Sequence, residues 1–131
     1  MRYLGVDPGG KRVGLAVGDS DTGVASPVCV VNVSGVKQAA RAIAEAAKRL
    51  GAECVVVGLP VLADGSHTPA CRRSEALSRE LSSLGLVVEL QPEYLTSDEA
   101  RRRAREVGIR GQEPVDHIAA QVLLEEYLDR R

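Results

Sequence analysis

The chain is poor in aromatic residues: it has no Trp, no Phe and 3 Tyr among 131 residues. Proteins that hold single-stranded nucleic acid often stack successive bases on aromatic side chains. The composition argues against an extended platform of that kind, so we expect any nucleic acid to be held mainly through its backbone. Long apolar runs are also missing, because Asp7 interrupts the first one and no window approaches the length of a membrane span. We therefore expect no contact with a membrane.

Cysteine is scarce as well. Cys29, Cys54 and Cys71 are odd in number and lack the C-x-x-C spacing. Cys29 and Cys54 stand inside apolar runs, where free cysteine behaves as a small hydrophobic residue. Free thiols in a reducing cytosol fit this usage, and we expect a cytoplasmic protein.

Neither sign of charge dominates, since the formal net charge is −1. A global basic field is thereby excluded, but local basic clusters can still bind phosphate. Lys11 and Arg12 are predicted phosphate contacts because they adjoin Asp7. Arg72 and Arg73 have two equally favoured interpretations. They form a phosphate site at the start of a helix, or they are solvated side chains. The remaining clusters, interpreted as solvated faces, are Arg101, Arg102, Arg103 with Arg105, and Arg130 with Arg131.

The length is that of one ordinary domain, and we expect a single domain over residues 1–131. Apolar runs at 3–6 and 13–17 predict a hairpin joined by a loop over 8–12, and a third run at 28–33 continues an antiparallel meander. Apolar residues at helical spacing predict a helix over 36–50, which feeds a buried strand at 54–57 that ends at 58–60.

The second half alternates in the same way. A loop over 61–69 precedes a helix over about 70–84, and a strand over 86–90 exits at Pro92 and Glu93. Thr96 and Glu99 have the spacing of a capping box for a helix to about 107, and a linker over 109–113 precedes a final helix. The predicted buried stripe of that final helix consists of Val115, Ile118, Ala119, Val122 and Leu123. This order predicts an α/β fold with a mixed five-stranded sheet and helices on both faces.

Three acidic residues can meet in such a sheet. Asp7 and Glu93 end strands of the parallel portion, whose carboxyl ends open on one edge. The final helix can bring Asp116 to the same edge, although a surface acid is the simpler interpretation of Glu93 and Asp116. Carboxylates gathered in this way suit Mg²⁺ or Mn²⁺, and two such ions can catalyse phosphodiester hydrolysis.

Four ordered motifs resemble those of the YqgF/RuvX family of ribonuclease H-like nucleases. They are LGVDPGGKRVGLAVGD at 4–19, VVGLPVLADGS at 56–66, EYLTSDEA at 93–100 and VDHIAAQVLLEEYL at 115–128. The resemblance implies a ribonuclease H-like fold and a metal-dependent nuclease that matures the 5′ end of pre-16S ribosomal RNA. By position, it implies that Asp7, Glu93 and Asp116 are catalytic residues that bind Mg²⁺ or Mn²⁺.

The resemblance also bears on partners. It implies structured precursor ribosomal RNA as substrate and ribosomal assembly intermediates as partners. For the protein itself, a monomer and a homodimer both stay open. Branched DNA is the alternative substrate, because the family has also been proposed to resolve Holliday junctions. The sequence departs from the family where Pro92 and Tyr94 flank Glu93 in place of Asp and Arg, and where Leu62 replaces an Asn. The altered motif at 92–94 leaves open a catalytically silent RNA-binding assembly factor.

A nucleotide-binding module is a further alternative. The glycine turn after Asp7 resembles the phosphate loop of actin-like kinases and chaperone ATPases. Those proteins close a second lobe over the nucleotide, and 131 residues are too few for two lobes. We therefore favour the nuclease.

Overall fold

Three antiparallel strands begin the fold. The computed structural model describes residues 1–95 and 117–130. Strand β1 (Arg2–Pro8) pairs with β2 (Arg12–Asp19), and β2 pairs with β3 (Ala25–Asn32). The backbone N–H of Gly9 donates to the carbonyl of Arg12 at 2.9 Å, so the first connection is tighter than the predicted loop. The predicted meander is confirmed.

The following elements add a parallel portion to the sheet. Helix α1 (Val36–Leu50) leads into β4 (Cys54–Leu62), and α2 (Cys71–Ser83) leads into β5 (Val87–Leu95). Helix α3 (His117–Arg130) ends the described chain. The strand order is β3-β2-β1-β4-β5, with β1, β4 and β5 mutually parallel. The predicted mixed five-stranded sheet is confirmed, and the carboxyl ends of these three strands share one edge, which we call the C-terminal edge.

Helices cover both faces of the sheet. On the α1/α2 face, Ile43 and Leu81 pack against aliphatic side chains of β1 and β4 such as Leu4 and Val55. On the α3 face, the ring of Tyr127 meets that of Tyr3 with centroids 5.5 Å apart. None of the helices within residues 1–95 and 117–130 is long and apolar enough to cross a membrane.

Two glycines let α3 lie close to the sheet. A Cβ on Gly5 would stand 2.9 Å from the Cβ of Leu124 and 3.1 Å from the carbonyl oxygen of Ala120. A Cβ on Gly18 would stand 3.0 Å from Leu124 Cδ2. Because Ala120 lies over Gly5 while Tyr127 lies over Tyr3, α3 runs antiparallel to β1. Its first described residues therefore point toward the C-terminal edge.

The predicted stripe of this helix is wrong in part. Ile118 and Val122 are each 50% exposed, and Ala119 is only partly buried. The sequence supports two overlapping stripes at helical spacing, and contact with Gly5 and Gly18 selects the other one. The buried side chains are Ala120, Leu123, Leu124, Tyr127 and Leu128, of which the prediction included Leu123.

Strands β4 and β5 are longer than predicted. Strand β4 continues through Pro60 to Leu62, and β5 continues through Pro92 to Leu95, because the two strands pair along their whole length. Glu93 thus lies within a strand instead of after it. Helix α1 has its predicted bounds, and α2 is one residue shorter at each end.

Other predictions fall outside the described residues. They concern the capped helix to residue 107, the linker 109–113, Pro114, Val115 and Asp116, the arginines at 101–105, and Arg131. That residues 1–131 form one domain stays a prediction.

Candidate active site

Asp7 is a buried carboxylate near the end of β1. Side chains alternate along a strand, so Asp7 shares the α3 face with Tyr3 and Gly5. It pairs with Gly14 of β2, and its exposed fraction is 0%. Burying a carboxylate is costly unless it is paired, hydrogen-bonded or bound to a metal. A fully buried acid at a strand end is therefore a strong candidate for a functional group.

Glu93 reaches the same face from β5. It pairs with Pro60 of β4, and its half-buried side chain lies over Gly58. A Cβ on Gly58 would stand 2.6 Å from Glu93 Oε1 and 3.2 Å from Leu123 Cδ2. The missing side chain at position 58 thus makes the space that the Glu93 carboxylate occupies beneath α3.

The two acids flank β4. Gly58 follows Val57, which pairs with Val6, just as Asp7 follows Val6 on the neighbouring strand. Asp7 and Gly58 each follow the last residue pair between β1 and β4, on the same face, so the Glu93 carboxylate, held at Gly58, shares the face and the edge of Asp7. The structure therefore brings together two of the three predicted carboxylates.

The third predicted carboxylate, Asp116, lies outside the described residues, and His117 is the first described residue of α3. Within the part of the chain that the structure describes, no group of three His, Cys, Asp or Glu side chains is close enough to hold a metal ion. His117 is half-buried, and its Nδ1 is shielded from solvent.

The predicted basic residues lie at the same edge, on two faces. Lys11 is exposed in the connection between β1 and β2, and Arg12 is half-buried two residues before Gly14, which places it on the α3 face with Asp7. Arg72 and Arg73 stand in the first turn of α2, which starts at the C-terminal edge on the other face. The phosphate-binding roles of these four residues stay predictions.

The segment after β4 folds back on that strand. Thr68 Oγ1 donates to the Pro60 carbonyl at 2.6 Å, and Cys71 Sγ donates to the same oxygen at 3.2 Å. His67 pairs with Val61 in an antiparallel bridge. The segment borders an open hollow of about 480 Å³. Its lining residues are His67, Thr68, Pro69, Cys71, Arg72 and Glu75.

The tip of this segment is held by one carboxylate. Asp64 Oδ1 accepts hydrogen bonds from Ser66 Oγ at 2.6 Å and from the Ser66 backbone N–H at 2.9 Å. Because both bonds favour the ionised form, they hold the pKa of Asp64 below its usual value.

The role of Gly58 was not predicted from the sequence, where this glycine indicates only the end of a strand. A signal was available, because Gly58 and Glu93 share a face once β4 and β5 pair in parallel. The joint contact of Thr68 and Cys71 with Pro60 was not predicted either, and their spacing gives no signal for it.

The mixed five-stranded sheet in the order β3-β2-β1-β4-β5, with helices on both faces, has the ribonuclease H-like fold. Solved structures agree. The structure of T. thermophilus RuvC in complex with Holliday junction substrate matches this one with a TM-score of 0.57 at 18% sequence identity. The match covers 100% of this chain and 95% of the RuvC chain. The structure of the fowlpox virus resolvase in complex with Holliday junction DNA matches with a TM-score of 0.56 at 13% sequence identity. This match covers 99% of this chain and 98% of the resolvase chain.

The family follows from the sequence match. A family model described as "RuvX: Holliday junction resolvase" matches residues 1–130, and the chain belongs to this family. A relative from Anaeromyxobacter dehalogenans (strain 2CP-C), named "Putative pre-16S rRNA nuclease", is 44% identical over 100% of this chain and 98% of its own length. A relative of the same name from Chloroflexus aggregans is 33% identical over 98% of this chain and 93% of its own.

Proposed function

We propose that this protein is a metal-dependent nuclease that processes the 5′ end of pre-16S ribosomal RNA. The observation that carries the proposal is the pair of carboxylates on one face of the C-terminal edge, with Asp7 buried and Glu93 seated over Gly58. The names of the relatives at 44% and 33% identity support this substrate. The free thiols Cys29, Cys54 and Cys71 support a reducing, cytoplasmic setting.

The donor set fits a hard divalent cation. Asp7 and Glu93 offer carboxylate oxygens, the ligands that Mg²⁺ and Mn²⁺ prefer, and the space above Gly58 holds one of them in place. We propose Asp116 as the third ligand, since it stands four residues before Ala120, which lies over Gly5. When bound, such ions supply Lewis acidity for phosphodiester hydrolysis.

The remaining residues of the edge serve to hold the substrate. Lys11, in the connection after β1, and Arg12, on the α3 face, bind a phosphate beside the strand that carries Asp7 in this proposal. Arg72 and Arg73 can bind a second phosphate where the nucleic acid passes onto the α1/α2 face. Phosphate contacts position a chain without selecting its sequence.

Branched DNA is a second candidate substrate, because the matching family model is described as a Holliday junction resolvase. The two candidates share the same site and differ in the nucleic acid that it accepts. Digestion of a pre-16S ribosomal RNA fragment and of a four-way DNA junction, side by side, separates them.

The test of the proposed function compares the wild type with Asp7→Asn and Glu93→Gln in Mg²⁺, in Mn²⁺ and in excess chelator. We expect each substitution to lower the cleavage rate by more than about 100-fold, which is about 2.7 kcal/mol of barrier, and the chelator to abolish cleavage. Glu89→Gln is the matched control, since Glu89 is an exposed acid on the same strand and face as Glu93.

Thermal unfolding of each variant shows whether the fold is kept. Full activity in Asp7→Asn, or in the presence of chelator, would refute the proposal. Stable binding of precursor RNA without cleavage in either metal would instead identify a silent assembly factor.

A further inference from the structure

One aromatic side chain at the C-terminal edge is exposed to solvent. Tyr94 is 62% exposed, whereas Tyr3 and Tyr127, the other aromatic residues of the chain, are 1% and 9% exposed. The buried pair contributes to the core beneath α3. Single exposed apolar side chains are common on protein surfaces, and what distinguishes Tyr94 is its place beside Glu93 at the C-terminal edge.

Tyr94 adjoins the candidate metal site but faces the other way. It follows Glu93 directly, and because side chains alternate along β5, Glu93 faces α3 while Tyr94 lies on the α1/α2 face. Tyr94 pairs with Val61, and His67 pairs with Val61 from the opposite side. His67, Val61 and Tyr94 therefore form one row across the end of the sheet.

This row leads from the aromatic ring to the hollow beside α2, whose lining includes the cation Arg72 and the acid Glu75. Val61, in the middle, is buried and apolar, while the exposed His67 lines the hollow of about 480 Å³ together with Arg72. The row thus joins Tyr94, which adjoins Glu93, to the hollow that Arg72 lines. An aromatic ring followed by a cation is the arrangement that binds a base and then a phosphate.

We propose that Tyr94 stacks on the base of an unpaired nucleotide next to the scissile phosphate, and that Arg72 binds the phosphate beyond it. This inference rests on the proposed function and narrows its substrate class. A base can reach the Tyr94 ring only when it is unpaired, so the site requires a single-stranded or opened segment at the cut. Stacking tolerates every base because each has a π face, so the contact selects strandedness and not sequence.

The test measures RNA binding in the Asp7→Asn background, where cleavage does not interfere. Single-stranded oligoribonucleotides carry one 2-aminopurine, placed at each position in turn, and a fully paired RNA duplex serves as comparison. With Tyr94 present we expect the fluorescence to be quenched at a specific position. Adding Tyr94→Ala should abolish that quenching and weaken single-strand binding about 5- to 150-fold, which corresponds to about 1–3 kcal/mol for one stacked base.

Two control variants sharpen the result. Tyr94→Phe keeps an aromatic ring and should retain both the quenching and the affinity. Val87→Ala removes a side chain that is 61% exposed on the same strand and should change neither. Binding to the duplex should be the same with and without Tyr94→Ala.

The outcomes separate this inference from the proposed function. If the wild type cleaves RNA but Tyr94→Ala leaves single-strand affinity and fluorescence unchanged, the stacking role is wrong and the nuclease stands. If the wild type neither binds nor cleaves RNA or branched DNA, the proposed function is wrong, and the stacking inference that rests on it falls with it. An equal loss of single-strand and duplex affinity in Tyr94→Ala would also overturn the inference.

Discussion

At the scale of single residues, the site depends as much on a missing side chain as on the acids. Gly58 holds open the space in which Glu93 Oε1 lies, 2.6 Å from where a Cβ would stand. The atom in the way is the end of a flexible side chain, so the protein can adapt by moving the carboxylate. That movement should cost little stability but should take a candidate metal ligand out of position.

Gly58→Ala should therefore separate stability from activity. We expect the free energy of unfolding to change by less than about 1 kcal/mol. Alanine loses less conformational entropy on folding than glycine does, and this gain partly offsets the cost of the close contact between the new Cβ and Leu123 Cδ2. Cleavage should fall by at least about 10-fold. Denaturant unfolding and cleavage rates provide the measurements. In a Glu93→Gln background the same substitution should have no further effect on cleavage, and an additive loss would contradict this explanation.

Asp64 offers a second prediction at this scale. Its pKa is lowered by the hydrogen bonds from Ser66, so the ionised form is favoured in the folded state. A lowered pKa gives a contribution to stability that is complete above the unfolded pKa and is lost as the pH falls through the folded pKa. Titration by carboxyl NMR should show a midpoint below that of an ordinary aspartate, and Ser66→Ala should raise it. An unchanged midpoint in Ser66→Ala would refute the assignment.

At the scale of elements, the position of α3 depends on the glycines beneath it. Its sequence permits two stripes, and propensity does not choose between them. The choice is made by contact, because Gly5 and Gly18 let Leu124 approach the sheet backbone. This explains why the helix itself could be predicted from sequence while the exposure of Ile118 and Val122 could not.

Gly5→Ala should displace this helix. The new Cβ would meet the Leu124 Cβ at 2.9 Å and the Ala120 carbonyl at 3.1 Å, and neither can rotate away. We expect a loss of about 1–3 kcal/mol in the free energy of unfolding, as for other overpacked cores, measured by chemical denaturation. Val122→Ala, on the exposed side of α3, is the control and should change stability by less than about 0.5 kcal/mol. Equal stability of Gly5→Ala and wild type would show that α3 does not depend on this contact.

At the scale of the whole molecule, the parallel order of β1, β4 and β5 was predictable because helices separate these strands in sequence. That order placed Asp7 and Glu93 on one edge. The lengths of β4 and β5 were not predictable, since Pro60 and Pro92 indicate strand ends. Both prolines are tolerated because β1 pairs with β4 only as far as Val57 and β5 is an outer strand. The reach of Glu93 back over Gly58 depends on that extended pairing.

Charge distribution gives the last prediction. The net charge of −1 provides no general attraction to nucleic acid, so affinity must come from the local clusters at the C-terminal edge. The logarithm of the binding constant falls linearly with the logarithm of the salt concentration. Each phosphate neutralised by a basic side chain makes that slope steeper by about 0.7 for single strands. Lys11→Ala and Arg72→Ala, measured in the Asp7→Asn background with single-stranded RNA, should each reduce that slope by about 0.7 to 1. Lys48→Ala is the matched control, because Lys48 is exposed in the last turn of α1, at the opposite edge of the sheet. A slope that responds equally to all three substitutions would mean that RNA binds through diffuse surface charge and that the two edge residues are not phosphate contacts.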